Sequence, residues 1–225
     1  MIGILYIVAT PIGNLGDMTL RALETLKSVD VVLSEDTRVT GNLLRHFDIK
    51  KPLVSFHEHT ETEKAEKLIA RMQAGENMAL VTDAGTPGIS DPGNVLVALA
   101  AAAGIRVVPI PGASALGAIV SVAGIDMREF VFLGFPPHKK GRETFFKKVM
   151  ASDIPVIYYE SPHRVLKNLE LLMELAPDKN IILGRELTKI FEEVVRGSVG
   201  EVKTYLESKA GKMKGEFVIV VYPVT

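Results

Sequence analysis

The sequence predicts an α/β fold built as two α/β domains. Three observations carry that expectation. Short apolar runs rich in β-branched residues alternate with helical patterns along nearly the whole chain. The pattern closes near Gly112–Ala118 and then restarts, giving two sets of similar size, residues 1–114 and 115–225. Segments rich in glycine, proline and carboxylates follow directly after the apolar runs, where open α/β sheets bind their ligands.

In the first set, Ile4–Val8 reads as a buried strand stopped by Pro11 and Gly13. Leu20, Leu23 and Leu26 then recur at helical spacing. Val31–Leu33 reads as a strand, Val39–Phe47 as a helix and Leu53–Phe56 as a strand. Glu61–Ala74 is a charged helix with an apolar stripe of Ala65, Leu68, Ile69 and Met72, ended by Gly75. Met78–Thr82 is a strand, Val95–Ala103 a helix and Val107–Ile110 a strand. Such short, continuously apolar strands between helices predict a mainly parallel sheet.

The second set begins with a small-residue helix, Ala115–Val122. The strands are Phe130–Leu133, Val156–Tyr159, Ile181–Leu183, Phe191–Arg196 and Phe217–Tyr222. The helices between them are Lys140–Met150, Val165–Leu175 and Val202–Lys209. A mixed sheet is expected here.

Composition narrows the function. The chain has 225 residues, 47% apolar and 24% charged, with a net charge of −1. A chain of this size buries a core without covalent staples. It has no cysteine, which excludes disulfides, cysteine–zinc sites, iron–sulfur clusters and thiol nucleophiles. The longest apolar run, Val95–Ile105, is ended by Arg106, well short of the roughly 20 residues a bilayer requires. No positive residue precedes the apolar stretch at the N-terminus, so a secretory signal is not expected and a cytoplasmic location is. Net charge alone does not mark a nucleic-acid binder, so any RNA contact must use local patches.

Four loops stand out, each after a strand: Ala9–Asp17, Asp83–Gly93, Pro109–Ala115 and Tyr159–Arg164. The second holds three glycines, two prolines and two aspartates in 11 residues. Glycine lets backbone approach a ligand closely, and exposed amides then hold its polar atoms. The plain alternative is a strand–helix turn, but such turns usually take about 2–6 residues. No phosphate-binding P-loop, dinucleotide fingerprint, nucleophile elbow or His-Glu-x-x-His motif is present. His57 and His59 would share one face of a strand, but no third ligand is evident, so no metal is expected.

The carboxylates of Glu35-Asp36-Thr37-Arg38 read either as a helix N-cap or as a polar cluster at the ligand edge. Glu160, His163 and Glu186 also follow strands. Lys139, Lys140, Arg142, Lys147 and Lys148 cluster with only Glu143 opposing them, and Lys209, Lys212 and Lys214 form a second group. Such runs are commonly solvated helix faces, yet they are also what a phosphate backbone requires.

In order, VATPIGNLGD, EDTR, DAGTPGISDPG, PIPGASA, YESPHR and GRELTK resemble the tetrapyrrole methylase superfamily, the class III S-adenosylmethionine-dependent methyltransferases. The similarity runs from Leu5 to Val221 and is closest to the branch acting on ribosomal RNA. It implies two α/β domains with a cofactor cleft between them, usually in a homodimer. It also implies 2′-O-methylation of a cytidine in the decoding region of 16S rRNA, within the small ribosomal subunit.

Carried over by position, S-adenosylmethionine would be held by Asp83, Ala84, Gly85, Thr86, Pro87, Gly88, Ile89 and Ser90. Thr10 and Pro11 would close one side, with Ser114 and Ala115 from the third loop. Tyr159, Glu160, Glu186, Leu187 and Glu216 would contribute from the second domain. Candidate bases for the ribose hydroxyl are Glu35, Asp36, His57, Glu160, His163 and Glu186, with Lys189 if its pKa were depressed. Arg38, Arg164 and Arg185 could orient phosphate or steady the developing oxyanion, and Phe56, Phe135 and Tyr159 could stack on bases. Lys139, Lys140, Arg142, Lys147, Lys148, Arg164 and Arg185 are the candidate RNA contacts.

One departure is informative. Small-molecule members typically carry G-x-G-x-G after the first strand, where this chain has Ala9-Thr10-Pro11-Ile12-Gly13. That places a corrin-type substrate in doubt rather than the cofactor. The rivals are a precorrin-type methylase, a non-catalytic RNA-binding assembly factor and a nucleotide-binding oxidoreductase; the missing fingerprint weighs against the last.

Overall fold

The computed structural model describes residues 1–56, 61–91, 93–175, 179–209 and 214–223. The chain divides into two compact units, Met1–Ser114 and Ala115–Thr225.

In the first unit the strands are β1 (Ile4–Val8), β2 (Val31–Ser34), β3 (Leu53–Ser55), β4 (Met78–Leu80) and β5 (Arg106–Ile110). They form one parallel sheet in the order β3-β2-β4-β1-β5. Its helices are α1 (Leu20–Ser28), α2 (Thr37–His46), α3 (Glu61–Gln73) and α4 (Asn94–Ala102). Strand side chains alternate between two cores. Leu5, Val31, Leu33, Met78 and Leu80 pack with Leu68 and Met72 of α3 and Leu96 and Ala100 of α4. Val8, Val32, Ala79 and Val81 pack on the other face with Ala22 and Leu26 of α1 and Leu44 of α2. Both faces are covered, which is why the strands lack a polar side.

The second unit opens with α5 (Ala115–Val122). Its strands are β6 (Val131–Phe132), β7 (Val156–Glu160), β8 (Asn180–Arg185), β9 (Glu193–Ser198) and β10 (Phe217–Tyr222). The order is β6-β7-β10-β8-β9; β6 and β7 are parallel, and the other pairings are antiparallel. Helices α6 (Arg142–Met150), α7 (Val165–Leu175) and α8 (Val199–Glu207) share a core with one face of this sheet, through Phe146, Leu169, Leu172, Val202 and Leu206. The α/β expectation therefore holds, with a parallel sheet in one unit and a mixed sheet in the other. Among the described residues no helix is long and apolar enough to cross a membrane.

Several element bounds move for identifiable reasons. Helix α2 begins at Thr37, not Val39, because the Asp36 side chain accepts from the Arg38 amide at 2.8 Å. Helix α6 begins at Arg142 rather than Lys140, behind Gly141 in a left-handed conformation. Strand β9 starts at Glu193, leaving Phe191 in the preceding turn. Helix α8 starts three residues before the expected Val202. There Ser198 and Glu201 form a reciprocal capping box, each satisfying an amide of the other end.

Replacing Ser198 by Ala removes the side-chain half of that box. Urea unfolding should show a loss of about 1 kcal/mol, and Ser198→Asp should recover most of it.

Candidate functional site

The carboxyl edge of the first sheet is where three of the four loops meet. Thr10 and Gly85 form an isolated antiparallel bridge, with Thr10 N donating to Gly85 O at 2.9 Å and Gly85 N to Thr10 O at 3.0 Å. The Thr10 hydroxyl donates to Thr82 O at 3.0 Å, so the loops after β1 and β4 are tied by three hydrogen bonds. The Thr86 hydroxyl donates to Ala113 O at 3.1 Å, and Ala9 N donates to Ile110 O at 3.1 Å, which joins the loop after β5. Gly85 has φ +88, which favours glycine at this crossing, and a Cβ there would press on Ile12 Cγ2 at 3.2 Å. Ser90 also adopts positive φ, +62, a strained position of a kind that clusters at ligand sites.

The polar inventory of this edge is acidic. Asp36 N donates to Asp83 Oδ1 at 3.1 Å. Burial pushes the Asp91 carboxyl up to about 6, and the charges of Glu35 and Asp83 push the same way. The nearby Thr82 hydroxyl draws it down, but without a hydrogen bond of good geometry. Asp36 behaves oppositely: hydrogen bonds from Arg38 hold its carboxyl far below the usual range. Ser34 Oγ and Thr82 Oγ1 are buried here without a hydrogen-bond partner among the described residues. Around them lie exposed loop residues Asp83, Ala84, Gly88 and Ser90. Such an edge can hold a compact polar ligand bearing positive charge.

In the second unit, Tyr159-Glu160-Ser161-Pro162-His163-Arg164 joins β7 to α7. Glu160 is 1% exposed. One carboxylate oxygen accepts from the Ser161 amide at 2.8 Å and lies 3.5 Å from Arg164 Nε. The other accepts from Asn168 Nδ2. Arg164 also donates to Ser161 Oγ at 3.0 Å and to Pro136 O at 3.0 Å. This is an internal brace for the turn.

The Gly184-Arg185-Glu186-Leu187-Thr188-Lys189 stretch is locked in the same way. Glu186 Oε1 accepts from Lys189 Nζ at 2.9 Å and from Glu216 N at 3.0 Å. Burial would raise the Glu186 carboxyl, but these partners hold it below its usual range. Glu186 and Thr188 both sit at positive φ. Gly215, at φ +111, packs under the Glu186 side chain, where a Cβ would fall 2.5 Å from Cδ. Arg185 donates to Lys214 O at 3.1 Å and to Glu193 Oε2 at 3.3 Å.

These contacts revise the sequence expectations. Glu160, buried with both oxygens engaged, does not fit a proton acceptor, and Glu186 is ion-paired. Lys189 is held between Glu186 and Glu216 with its pKa raised rather than depressed; burial opposes the shift, and the two carboxylates outweigh it. Arg164 and Arg185 are largely buried, and Nε and Nη1 of each are engaged internally, so both brace the fold. Phe56, 1% exposed, is core and cannot stack on a base. Phe135 and Tyr159 make an edge-on pair with ring centroids 5.4 Å apart, and Phe135 is exposed. His163 is exposed. His57, His59, Pro92 and Lys212 lie outside the described residues. Ser114 ends the first unit and Ala115 begins the second, while Leu187 is buried beside Gly184. Lys139, Lys140, Lys147 and Lys148 are exposed and Arg142 half-buried, with Lys147 paired to Glu143 at 2.6 Å. Among the described residues no cluster of three metal-ligating side chains occurs.

The residue that sequence reasoning passed over is Asp91. It stands in the most conspicuous loop, but its proton affinity depends on burial and on two carboxylates, Asp83 of the same loop and Glu35 after β2.

The chain matches the family model for "Tetrapyrrole (Corrin/Porphyrin) Methylases" over residues 4–203. It is 48% identical over 221 residues to "Ribosomal RNA small subunit methyltransferase I" of Escherichia coli O157:H7, covering 97% of this chain and 77% of that protein. The same-named protein of Synechocystis sp. is 47% identical, covering 99% of this chain and 80% of its own length. That of Neisseria meningitidis serogroup B is 45% identical, covering 98% and 76%. Among solved structures, a cobalt precorrin-4 methyltransferase superimposes with a TM-score of 0.67 at 17% identity, covering 96% of this chain and 93% of its own. A uroporphyrin-III-C-methyltransferase from Thermus thermophilus gives 0.65 at 22% identity, covering 98% and 94%. At these identities the structural likeness speaks for the fold.

The carboxyl of Asp91 predicts a pH dependence of stability. Below about pH 4 it is protonated in both the folded and unfolded states. Between about 4 and 6 the folded protein keeps a proton that the unfolded chain has released, so stability falls as pH rises. Asp91→Asn should therefore melt at a higher temperature than wild type at pH 7.5, and the difference should shrink to nothing by about pH 4 in thermal scans.

Proposed function

The chain belongs to the tetrapyrrole (corrin/porphyrin) methylase family, and on that premise we propose that it is an S-adenosylmethionine-dependent methyltransferase acting on the 2′-hydroxyl of a cytidine in the decoding region of 16S rRNA. The observation that carries this reading is the similarity to ribosomal RNA small subunit methyltransferases over 97–99% of the chain, which spans the edge loops.

The residues at the first sheet's edge fit the cofactor. S-adenosylmethionine is a cation with an ammonium, a carboxylate and ribose hydroxyls, and when bound it supplies an activated methyl group. Glu35, Asp83 and Asp91 give the edge the negative field that a sulfonium favours. The unpartnered Ser34 and Thr82 hydroxyls, with the exposed backbone of Asp83, Ala84, Gly88 and Ser90, offer polar contacts for the remainder. Thr10, whose backbone bridges to Gly85, and Pro11 beside it set the position of that loop.

The chain's other task is to orient the ribose and take its proton. A proton acceptor works best with a pKa near the working pH. Asp91, raised to about 6, meets that requirement, whereas Asp36 is held too acidic by Arg38. Asp91 therefore joins Glu35 and His163 as a candidate acceptor, ranked ahead of Glu160 and Glu186. The reading carries with it a cytoplasmic location and a homodimer. Ile190 and Phe191, exposed at 91% and 68%, supply apolar surface of the kind an assembly covers.

Tritiated methyl transfer from S-adenosylmethionine tests the reaction, offered small subunits from cells lacking the protein, naked 16S rRNA and a precorrin mixture. Label in the subunit RNA, recovered after alkaline hydrolysis as an uncleaved dinucleotide, is the expected result. Label only in the precorrins would overturn the RNA reading. With the subunit as substrate, Asp91→Asn should lower kcat by about 10²–10⁴-fold with KM for the RNA little changed; an unaltered kcat would return the proton to Glu35 or His163.

A further inference from the structure

A groove of about 420 Å³ lies in the second unit, lined by His138, Lys139, Arg142, Glu143, Lys167 and Leu171. From it we infer that the enzyme holds a phosphodiester of its RNA substrate there, at a subsite formed by Lys139, Arg142 and Lys167. This rests on the RNA reading given above and adds the place where the backbone docks.

Charge makes the case first. Six cations described elsewhere in this unit are ion-paired internally: Arg128 by Asp126, Arg164 by Glu160, Arg185 by Glu193, Lys189 by Glu186 and Glu216, Lys203 by Glu207, Lys209 by Glu193; Lys140, Lys148, Lys179, Arg196 and Lys214 have no such pair among the described residues, but none of them lines the groove. Lys139, Arg142 and Lys167 have no carboxylate within ion-pair distance among the described residues. The one acid lining the groove, Glu143, is already engaged by Lys147 at 2.6 Å. Three cations from two separate segments thus face one concavity without a counter-charge of their own.

Preorganisation makes the case second. Tyr159 N donates to Gly134 O at 3.0 Å, and Arg164 donates to Pro136 O, so the segment entering the groove is pinned to the β7–α7 turn. Arg142 N donates to Lys139 O at 3.3 Å, closing the turn that carries both residues. On α7, Lys167 and Leu171 stand four residues apart and so share a face. The arrangement sets the partly buried Leu171 beside the cations as the groove's one apolar contact. Arg164 is a positioning residue here: it holds the turn and leaves phosphate contact to others.

The test measures binding of the full-length protein to small subunits lacking the methylation, and to naked 16S rRNA, across a salt series. The Lys139→Ala/Arg142→Ala/Lys167→Ala variant should bind both roughly 10-fold or more weakly. The slope of log affinity against log salt should fall by about one for each cation removed. Affinity for S-adenosylmethionine should be unchanged, as should the RNA slope of Lys27→Ala on the first unit. Lys167→Arg should retain binding and Lys167→Glu should lose it, which keeps the test decisive if the triple variant folds poorly. Wild-type RNA affinity and slope in a folded triple variant would overturn the subsite alone. Weakened binding to subunits with normal binding to naked RNA would assign the groove to a ribosomal protein and overturn it too. Absence of RNA binding by the wild-type protein would overturn the RNA reading and the subsite with it.

Discussion

The site depends first on a short piece of antiparallel pairing at the end of a parallel sheet. β1 and β4 are neighbours in register, so their loops leave the sheet side by side. Parallel neighbours would ordinarily part at this point, each turning to its own helix. The Thr10–Gly85 bridge and the bond from the Thr10 hydroxyl to Thr82 O hold them together beyond the last ladder bond. Because α1 and α4 lie on opposite faces, the chain from β1 turns one way and the chain from β4 the other. The bridge fixes the start of both turns, and the acidic edge is assembled on that anchor.

The protein uses its charged groups in two distinct ways. Glu160, Arg164, Arg185, Glu186 and Lys189 stand at strand ends or in the turns after them, in stretches that look chemical by composition, and all are engaged by neighbours. They brace turns that would otherwise be strained or loose, including two residues at positive φ. Asp83, Asp91 and Glu35 do the reverse, since like charges gathered at one edge cost stability. Such destabilisation is typical of working sites and is compensated by the cores behind them.

Much of the fold was legible in the sequence because its signals are local. Ala115–Val122, Val165–Leu175 and Phe217–Tyr222 begin and end where their periodicity and flanking residues place them. For helix α8 the apolar pattern, which begins at Val202, understates the element, whose start is marked by the capping signature Ser198-Val-Gly-Glu201. The candidate site was less legible. The loops could be picked out, since glycine, proline and aspartate mark them. The roles of their side chains could not. Whether Glu160 is reactive or structural depends on Asn168, a turn further along α7, and on burial that no local pattern records. The Asp91 carboxyl takes its character from burial first, and then from charges that include Glu35 on a different strand end. Side-chain identity reports what a group can do, and only its neighbours decide whether it does so.

The packing of Gly215 beneath Glu186 has an evolutionary consequence. A side chain at 215 and a long acid at 186 cannot occupy the same volume. The two positions, in separate segments of the chain, therefore form a single unit of selection. A lineage that lengthens 215 must first shorten 186, releasing Lys189 and the Glu216 amide together. A side chain at 215 is closed off for as long as 186 keeps its long acid, so change across this turn has an order, 186 before 215.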